Sequence, residues 1–157
     1  MKKYLLTILS IAGLVCADQL TKHLAVTNLK GNPPKVIWKG VFELLYSENT
    51  GAAFGMLQDA TWFFIVITLI ILVAVAYFYA RIADKEQFRL LRILLVFISA
   101  GAIGNFIDRF LNGYVVAFLY IRLINFPVFN VADCYITWAG IMLALLLLFK
   151  YKDEDFR

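Results

Sequence analysis

Apolar residues gather into four long runs along this chain, and the way polar residues interrupt them predicts the architecture. The first run extends from about Tyr4 to about Leu24, behind a basic start at Lys2 and Lys3. Between about 25 and 59 the run breaks. Gly31-Asn32-Pro33-Pro34 is turn chemistry, and the short pieces Lys35 to Trp38 and Val41 to Tyr46 read as strands. Ser47 to Gly55 reads most simply as a turn between strands, although its glycines also let backbone approach another group closely. A second run covers 61–80, and about 20 residues at about 1.5 Å each span about 30 Å, the hydrocarbon thickness of a bilayer. Further runs at about 90–110 and 131–150 complete the set. The expectation is an all-α integral membrane protein forming one domain over 1–157. It has four transmembrane helices, with a small extracellular β-sheet (cradle) between helices 1 and 2. There is no internal repeat of the kind that marks transporters.

Composition agrees, since 62% hydrophobic residues and a mean hydropathy of +0.79 are too apolar for a soluble domain. The net charge of +4 does not call for nucleic acid, because Lys and Arg sit at the ends of the apolar runs. Arg81, Lys85, Arg89 and Arg92 crowd the connection between helices 2 and 3. The positive-inside rule places that connection, and with it both termini, in the cytoplasm. The loop after helix 1 carries Lys30, Lys35 and Lys39, which weakens the bias without reversing it. The start of the chain resembles a lipoprotein-type secretory signal. Val15, however, stands where a small residue is required before Cys16, and apolar character resumes past Asp18, so it reads as an uncleaved first helix. Cys16 and Cys134 form neither a disulfide framework nor a metal cluster, and no cofactor is implied.

Against this background the polar residues near the spans are informative, because a centrally placed Asp or Arg costs roughly 2.5 to 3.5 kcal/mol in a bilayer. Ser10, Gly13, Ala17 and Thr21 recur at helical spacing, a small polar stripe suited to packing on another helix. Asp18 and Lys22, at i and i+4, can pair. On helix 3, Ala100 and Gly104 permit a close contact, and Asn105, Asp108 and Arg109 share a face. Asp108 lies at the unfavourable, negative end of that helix dipole and wants a cationic partner, with Arg109, Lys22 and Arg122 available. Arg109 itself is explained equally by snorkelling to the interface. Asp133, three residues after Asn130, fits either an N-cap with its N3 partner or an exposed functional acid. His23 has no evident nucleophile beside it, and there is no HExxH, phosphate loop or nucleotide motif. Paired carboxylates remain as the hydrolytic option, one holding a proton while the other activates water. From chemistry alone the visible pair is Asp108 with Asp133.

These residues resemble the type II (lipoprotein) signal peptidases, aspartic proteases of the bacterial plasma membrane. Five motifs carry the resemblance, in order over nearly the whole chain: Asp18-Gln19-Leu20-Thr21-Lys22, Asn49-Thr50-Gly51-Ala52-Ala53-Phe54, Gly104-Asn105-Phe106-Ile107-Asp108-Arg109, Val115-Val116-Ala117-Phe118 and Phe129-Asn130-Val131-Ala132-Asp133. The resemblance implies a catalytic pair made of Asp133 and an aspartate in the fourth motif, where this chain has Ala117. It further implies that Asn49, Asn105, Arg109 and Asn130 position the peptide or orient the dyad, that Asp18, Lys22, Asp108 and Gly104 support the site, and that no metal or cofactor takes part. The implied substrate is a prolipoprotein bearing a diacylglyceryl-modified cysteine, cut on the amino side of that cysteine. The site would face the outer leaflet of a multi-pass plasma-membrane protein that works as a monomer among membrane lipids. A methyl group cannot carry a proton, so Ala117 implies an inactivated variant that binds without cutting, with the aspartate deliberately replaced. A natural non-cleaving lipopeptide-binding homologue, a dyad recruiting Asp108, and a small proton-coupled transporter are the alternatives.

Overall fold

The computed structural model describes residues 2–51, 57–82 and 85–151, the elements following in the order α1 (Lys2–Leu29), β1 (Lys35–Trp38), β2 (Phe42–Asn49), α2 (Thr61–Arg81), α3 (Arg89–Asn112), β3 (Val115–Ile121) and α4 (Val131–Phe149). The four helices are each long and apolar enough to cross a membrane. Half of the apolar window of α3 is buried (50%), against 6%, 6% and 11% for α1, α2 and α4, so α3 is the central helix. The other three pack on it. Helix α2 is apolar on every side and buries only Ile65, as expected of a lipid-facing span.

Small residues let the neighbours approach α3. A Cβ on Gly101 would lie 2.5 Å from the Ala132 carbonyl oxygen of α4, and one on Gly104 would lie 2.5 Å from Asp18 Oδ2 of α1. Both glycines are thus required by close contact, Gly104 as the small-residue pattern with Ala100 predicted. The stripe on α1 behaves otherwise. Ser10 and Ala17 are exposed, and a Cβ on Gly13 would meet nothing within 4 Å, so the N-terminal half of that stripe faces open space rather than a helix.

The small sheet forms as expected, with three corrections to it and its surroundings. Its order is β1-β2-β3, all antiparallel, and β3 comes from the segment between α3 and α4, not from the loop after α1. Helix α1 also runs five residues past its expected end near Leu24. Ala25 and Leu29 continue its buried face and pack under Val116 and Phe118 of β3, which makes the extra turn worth forming. Ser47 to Asn49, expected in a turn, belong to β2; residues 52–56 of that segment lie outside the described residues. The β2–β3 register shifts by one between Leu44 and Ser47, a bulge beside the position of Ala117, which lies opposite Ser47.

A polar clamp fastens the end of α1 to this sheet. Lys30 Nζ lies 2.9 Å from Glu48 Oε1, the Tyr46 hydroxyl donates to the same oxygen at 2.8 Å, and the ammonium rests 5.3 Å from the Tyr46 ring centre. The hydrogen bond from Lys30, then that from Tyr46, hold the Glu48 carboxyl below its ordinary 4.5. The hydrogen bond to Glu48 raises Lys30 above 10.5. A lowered carboxyl stabilises above its unfolded pKa and loses that contribution as pH falls through the folded value. A raised amine stabilises below its unfolded pKa and loses the contribution as pH rises through the folded value. Because the pair is exposed, Glu48→Gln is expected to lower the melting temperature at pH 7 by at most about 2 °C. Thermal unfolding of both proteins should show this gap closing below pH 4.5; a gap that persists at pH 2 would show that charge is not its source.

Candidate active site

Three elements converge at one end of the bundle: the middle of α1, the C-terminal half of α3 and the start of α4. Asp18 and Lys22 sit one turn apart on α1 and pair at 2.8 Å, both buried. Lys22 Nζ also reaches Asp108 Oδ2 at 3.1 Å and donates to Asn105 Oδ1 at 3.1 Å, so a single ammonium serves two carboxylates and an amide. Of the three cations available to Asp108, geometry selects Lys22, while Arg122 pairs with Glu43 at 2.9 Å. The rest of Asp108 is also occupied. The Val116 N–H donates to Oδ2 at 3.0 Å and Gln19 Nε2 to Oδ1 at 2.9 Å. Asp18 Oδ1 accepts from the Ala132 N–H at 2.9 Å, tying α1 to the first turn of α4.

Asn130 and Asp133 form a capping box at the start of α4. The Asp133 N–H donates to Asn130 Oδ1 at 2.9 Å, and the Asn130 N–H donates to Asp133 Oδ2 at 3.1 Å. The capping alternative for Asp133 is therefore realised. It does not exhaust the residue, because Asp133 Oδ1 accepts from Asn105 Nδ2 at 2.7 Å and the same carboxylate lines a cavity of about 380 Å³. Asn130 Nδ2 donates to Asn105 Oδ1 at 3.1 Å and to the Val116 carbonyl at 3.0 Å. A continuous chain of hydrogen bonds thus runs from Lys22 through Asn105 and Asn130 to Asp133, and its buried polar atoms are paired as such networks require.

Ala117 lies within this framework. Its neighbours are strapped on both sides, Val116 to Asp108 and Asn130, and Phe118 to the Phe129 carbonyl at 2.9 Å. Val116 and Phe118 face α1, so alternation turns Ala117 to the other face. Directly opposed residues of an antiparallel pair share a face, which puts Ala117 with its partner Ser47, and Val115 with Asn49. Ser47 and Asn49 line a second opening of about 490 Å³ that shares Asn49, Gly51 and the 126–128 segment with the first. The buried methyl of Ala117 is thus on the cavity side of the sheet.

Asn49 Oδ1 accepts from the Gly51 N–H at 2.9 Å, a local turn that shapes the cavity wall. Arg109 is half-buried and does not simply snorkel. Its guanidinium lies 4.7 Å from the centre of the Phe64 ring on α2, and Nη2 donates to the Gly51 carbonyl at 3.2 Å. Its buried Nε has no hydrogen-bond partner among the described residues. Sequence reasoning did not single out Gln19, Phe64, Thr137 or Trp138. The last two lie one helical turn beyond Asp133 and Cys134 and extend the α4 wall of the cavity, a spacing that was open to view in the sequence.

Comparison with known proteins decides the family. The pattern described as Signal peptidase (SPase) II matches residues 10–149 of this chain. The chain belongs to the signal peptidase II family. Members of this family are membrane proteases. A lipoprotein signal peptidase of Streptococcus pyogenes serotype M1 is 39% identical over 98% of both chains. That of serotype M5 (strain Manfredo) is 39% identical over 99% of both. Two solved bacterial membrane enzyme structures, at 2.3 and 1.9 Å resolution, share 34% identity. They superpose with TM-scores of 0.82 and 0.79, covering 94% and 93% of this chain and 92% and 94% of theirs.

Proposed function

We propose that this chain is a membrane aspartic endopeptidase scaffold that engages diacylglyceryl-modified prolipoproteins in the cavity beside Asp133 and, with Ala117 in place of the partner aspartate, holds them uncut. The observation that carries this is the cavity itself, in which Asp133 is the one acid among the described residues, on a wall that also holds Asn49, Arg109, Thr137 and apolar side chains including Trp138 and Phe126. An acyl chain meets the apolar side, and the peptide meets the polar side. The Arg109 guanidinium and the Asn49 amide, which line the cavity, are donors for peptide carbonyls, and Asn105 and Asn130 orient the carboxylate.

In a working dyad the two carboxylates share a proton, one activating water while the other polarises the scissile carbonyl on the amino side of the lipidated cysteine. Asp133 alone holds and orients water but has no partner to protonate the carbonyl oxygen. Asp108 does not replace it, because both of its oxygens are already committed to Lys22, Gln19 and the Val116 N–H. Asp18, Lys22, Asp108 and Gly104 therefore brace the site. The other motif positions being intact favours replacement of the single aspartate, the change expected of a chain altered to bind without cutting. The charge pattern puts both termini in the cytoplasm of a bacterial cell and the cavity toward the outer leaflet, and the protein works as a monomer.

Fluorescence binding of a diacylglyceryl-cysteine precursor peptide to the detergent-purified chain tests this. Saturable binding with the peptide recovered intact is expected, weakened about tenfold or more by Arg109→Gln through loss of charge-assisted hydrogen bonds. Cleavage by the unaltered chain would overturn the inactivity. Absence of binding would overturn the scaffold reading.

A further inference from the structure

Hydroxyl groups inside a membrane-spanning helix normally return to their own backbone, because hydrocarbon offers them nothing else to bond. This chain follows the rule at Thr7, Thr68 and Ser99, whose hydroxyls donate to the carbonyls of Lys3, Phe64 and Leu95 at 3.1, 2.7 and 2.8 Å. Thr137 of α4 departs from it. Among the described residues its hydroxyl has no hydrogen-bond partner, not even the Asp133 carbonyl one turn back. Ser10 on α1 is likewise unbonded, but it lies about 12 Å along that helix from Asp18, on the side away from the site. Thr137 is exposed and lines the cavity about 6 Å along the same face of α4 from Asp133. Trp138 beside it lines the same cavity and is 69% exposed, so the α4 wall runs from the acid out to the lipid-facing surface of the bundle.

We propose that the Thr137 hydroxyl donates a hydrogen bond to an ester carbonyl of the substrate's diacylglyceryl group, which makes it a specificity-determining residue for ester-linked lipid; this rests on the prolipoprotein reading of the cavity. The chemistry is complementary, since the hydroxyl is a donor and the ester carbonyls are acceptors that the lipid carries next to its cysteine. The distance also agrees. About eight bonds separate the scissile carbonyl carbon from the nearer ester carbonyl carbon, roughly 10 Å when extended and less when bent. A substrate with its scissile bond at Asp133 therefore brings an ester within reach of a group one helical turn away. The other polar groups of the cavity wall lie elsewhere. Asn49 and Arg109 are both bonded to Gly51, across from α4, where they face the peptide rather than the lipid. An unbonded hydroxyl at a lipid-facing mouth has little competition from water, so the bond it makes to an ester is retained.

Fluorescence titration of the full chain in an ester-free detergent tests the assignment with two synthetic precursor peptides. One carries a diacylglyceryl cysteine and the other its dialkyl ether counterpart, which keeps both chains and loses both carbonyls. The ester peptide is expected to bind about threefold to tenfold tighter than the ether, the worth of one neutral hydrogen bond. Thr137→Val, which keeps the shape and removes the hydroxyl, should lower ester affinity to that of the ether and leave ether binding unchanged. Thr137→Ser should keep the preference. A merely structural role for Thr137 would weaken both peptides alike, and that result would overturn the assignment. Equal binding of the two peptides by the unaltered chain, or an ester preference that survives Thr137→Val, would also overturn it, with the prolipoprotein reading left standing. So would a preference that only Trp138→Phe removes, which would give the contact to the indole N–H. Absence of saturable binding by either peptide would overturn the prolipoprotein reading and the Thr137 contact together.

Discussion

Ala117→Asp is expected to raise cleavage of a diacylglyceryl-modified precursor by about 10⁴-fold or more over the present chain, the scale on which loss of one member of a catalytic unit is usually felt. The case rests on position. Ala117 is buried on the cavity side of β3, opposite Ser47, between two residues whose backbone is fixed by Asp108, Asn130 and Phe129. A carboxyl group introduced there enters a rigid frame, and rigidity of the supporting shell is what a dyad needs. It also replaces a buried methyl by a charged group, so the variant should lose about 1–3 kcal/mol of stability while gaining activity, as strained functional groups commonly do. Product analysis by mass spectrometry after incubation with lipidated precursor gives the first number, and thermal unfolding in detergent the second. Two controls make the result specific: Ala117→Asn should gain nothing, and Asp133→Asn added to Ala117→Asp should erase the gain. A folded Ala117→Asp protein that binds the precursor and leaves it uncut would remove the dyad from positions 117 and 133.

The membrane architecture was legible because span length is fixed by bilayer thickness, and runs such as 61–80 meet it without help from neighbours. Elements whose stability comes from distant partners were less legible. Val115–Ile121 is a short apolar run beside a span, and it becomes a strand because β2, some seventy residues earlier, offers it a paired edge. The extra turn of α1 exists for the same reason, since Ala25 and Leu29 gain burial only once β3 lies over them. Within the site, spacing revealed what lies on one helix: Asp18 with Lys22, Asn130 with Asp133. It could not choose Lys22 over Arg109 or Arg122 for Asp108, because that choice depends on the approach of α1 to α3 at Gly104. Gln19 and Phe64 escaped notice for a related cause. Each acts through a partner on another helix, and neither residue type is unusual where it stands. The stripe on α1 was seen, but its destination depended on where α3 diverges from it.

Lys22→Met should be the most destabilising single change in the polar framework, by about 3–5 kcal/mol. Lys22 is 3% exposed and is the ammonium shared by Asp18, at 0%, and Asp108, at 3%. Its removal leaves two buried carboxylates facing the space it occupied and takes a donor from Asn105 Oδ1. The remaining donors, the Ala132 and Val116 N–H groups and Gln19, satisfy hydrogen-bonding capacity but supply no net charge. The cost therefore lies in the uncompensated acids rather than in lost packing, since Met fills a similar volume. This makes a specific expectation for neutralised combinations. Lys22→Met with Asp18→Asn and Asp108→Asn should unfold at a higher temperature than Lys22→Met alone, with strong non-additivity among the three sites. Thermal unfolding of the set in one detergent measures it. If Lys22→Met costs less than about 1 kcal/mol, or if neutralising both acids brings no recovery, the ammonium is not what holds α1 to α3. The electrostatic account of the framework would then give way to one based on the Gly104 contact alone.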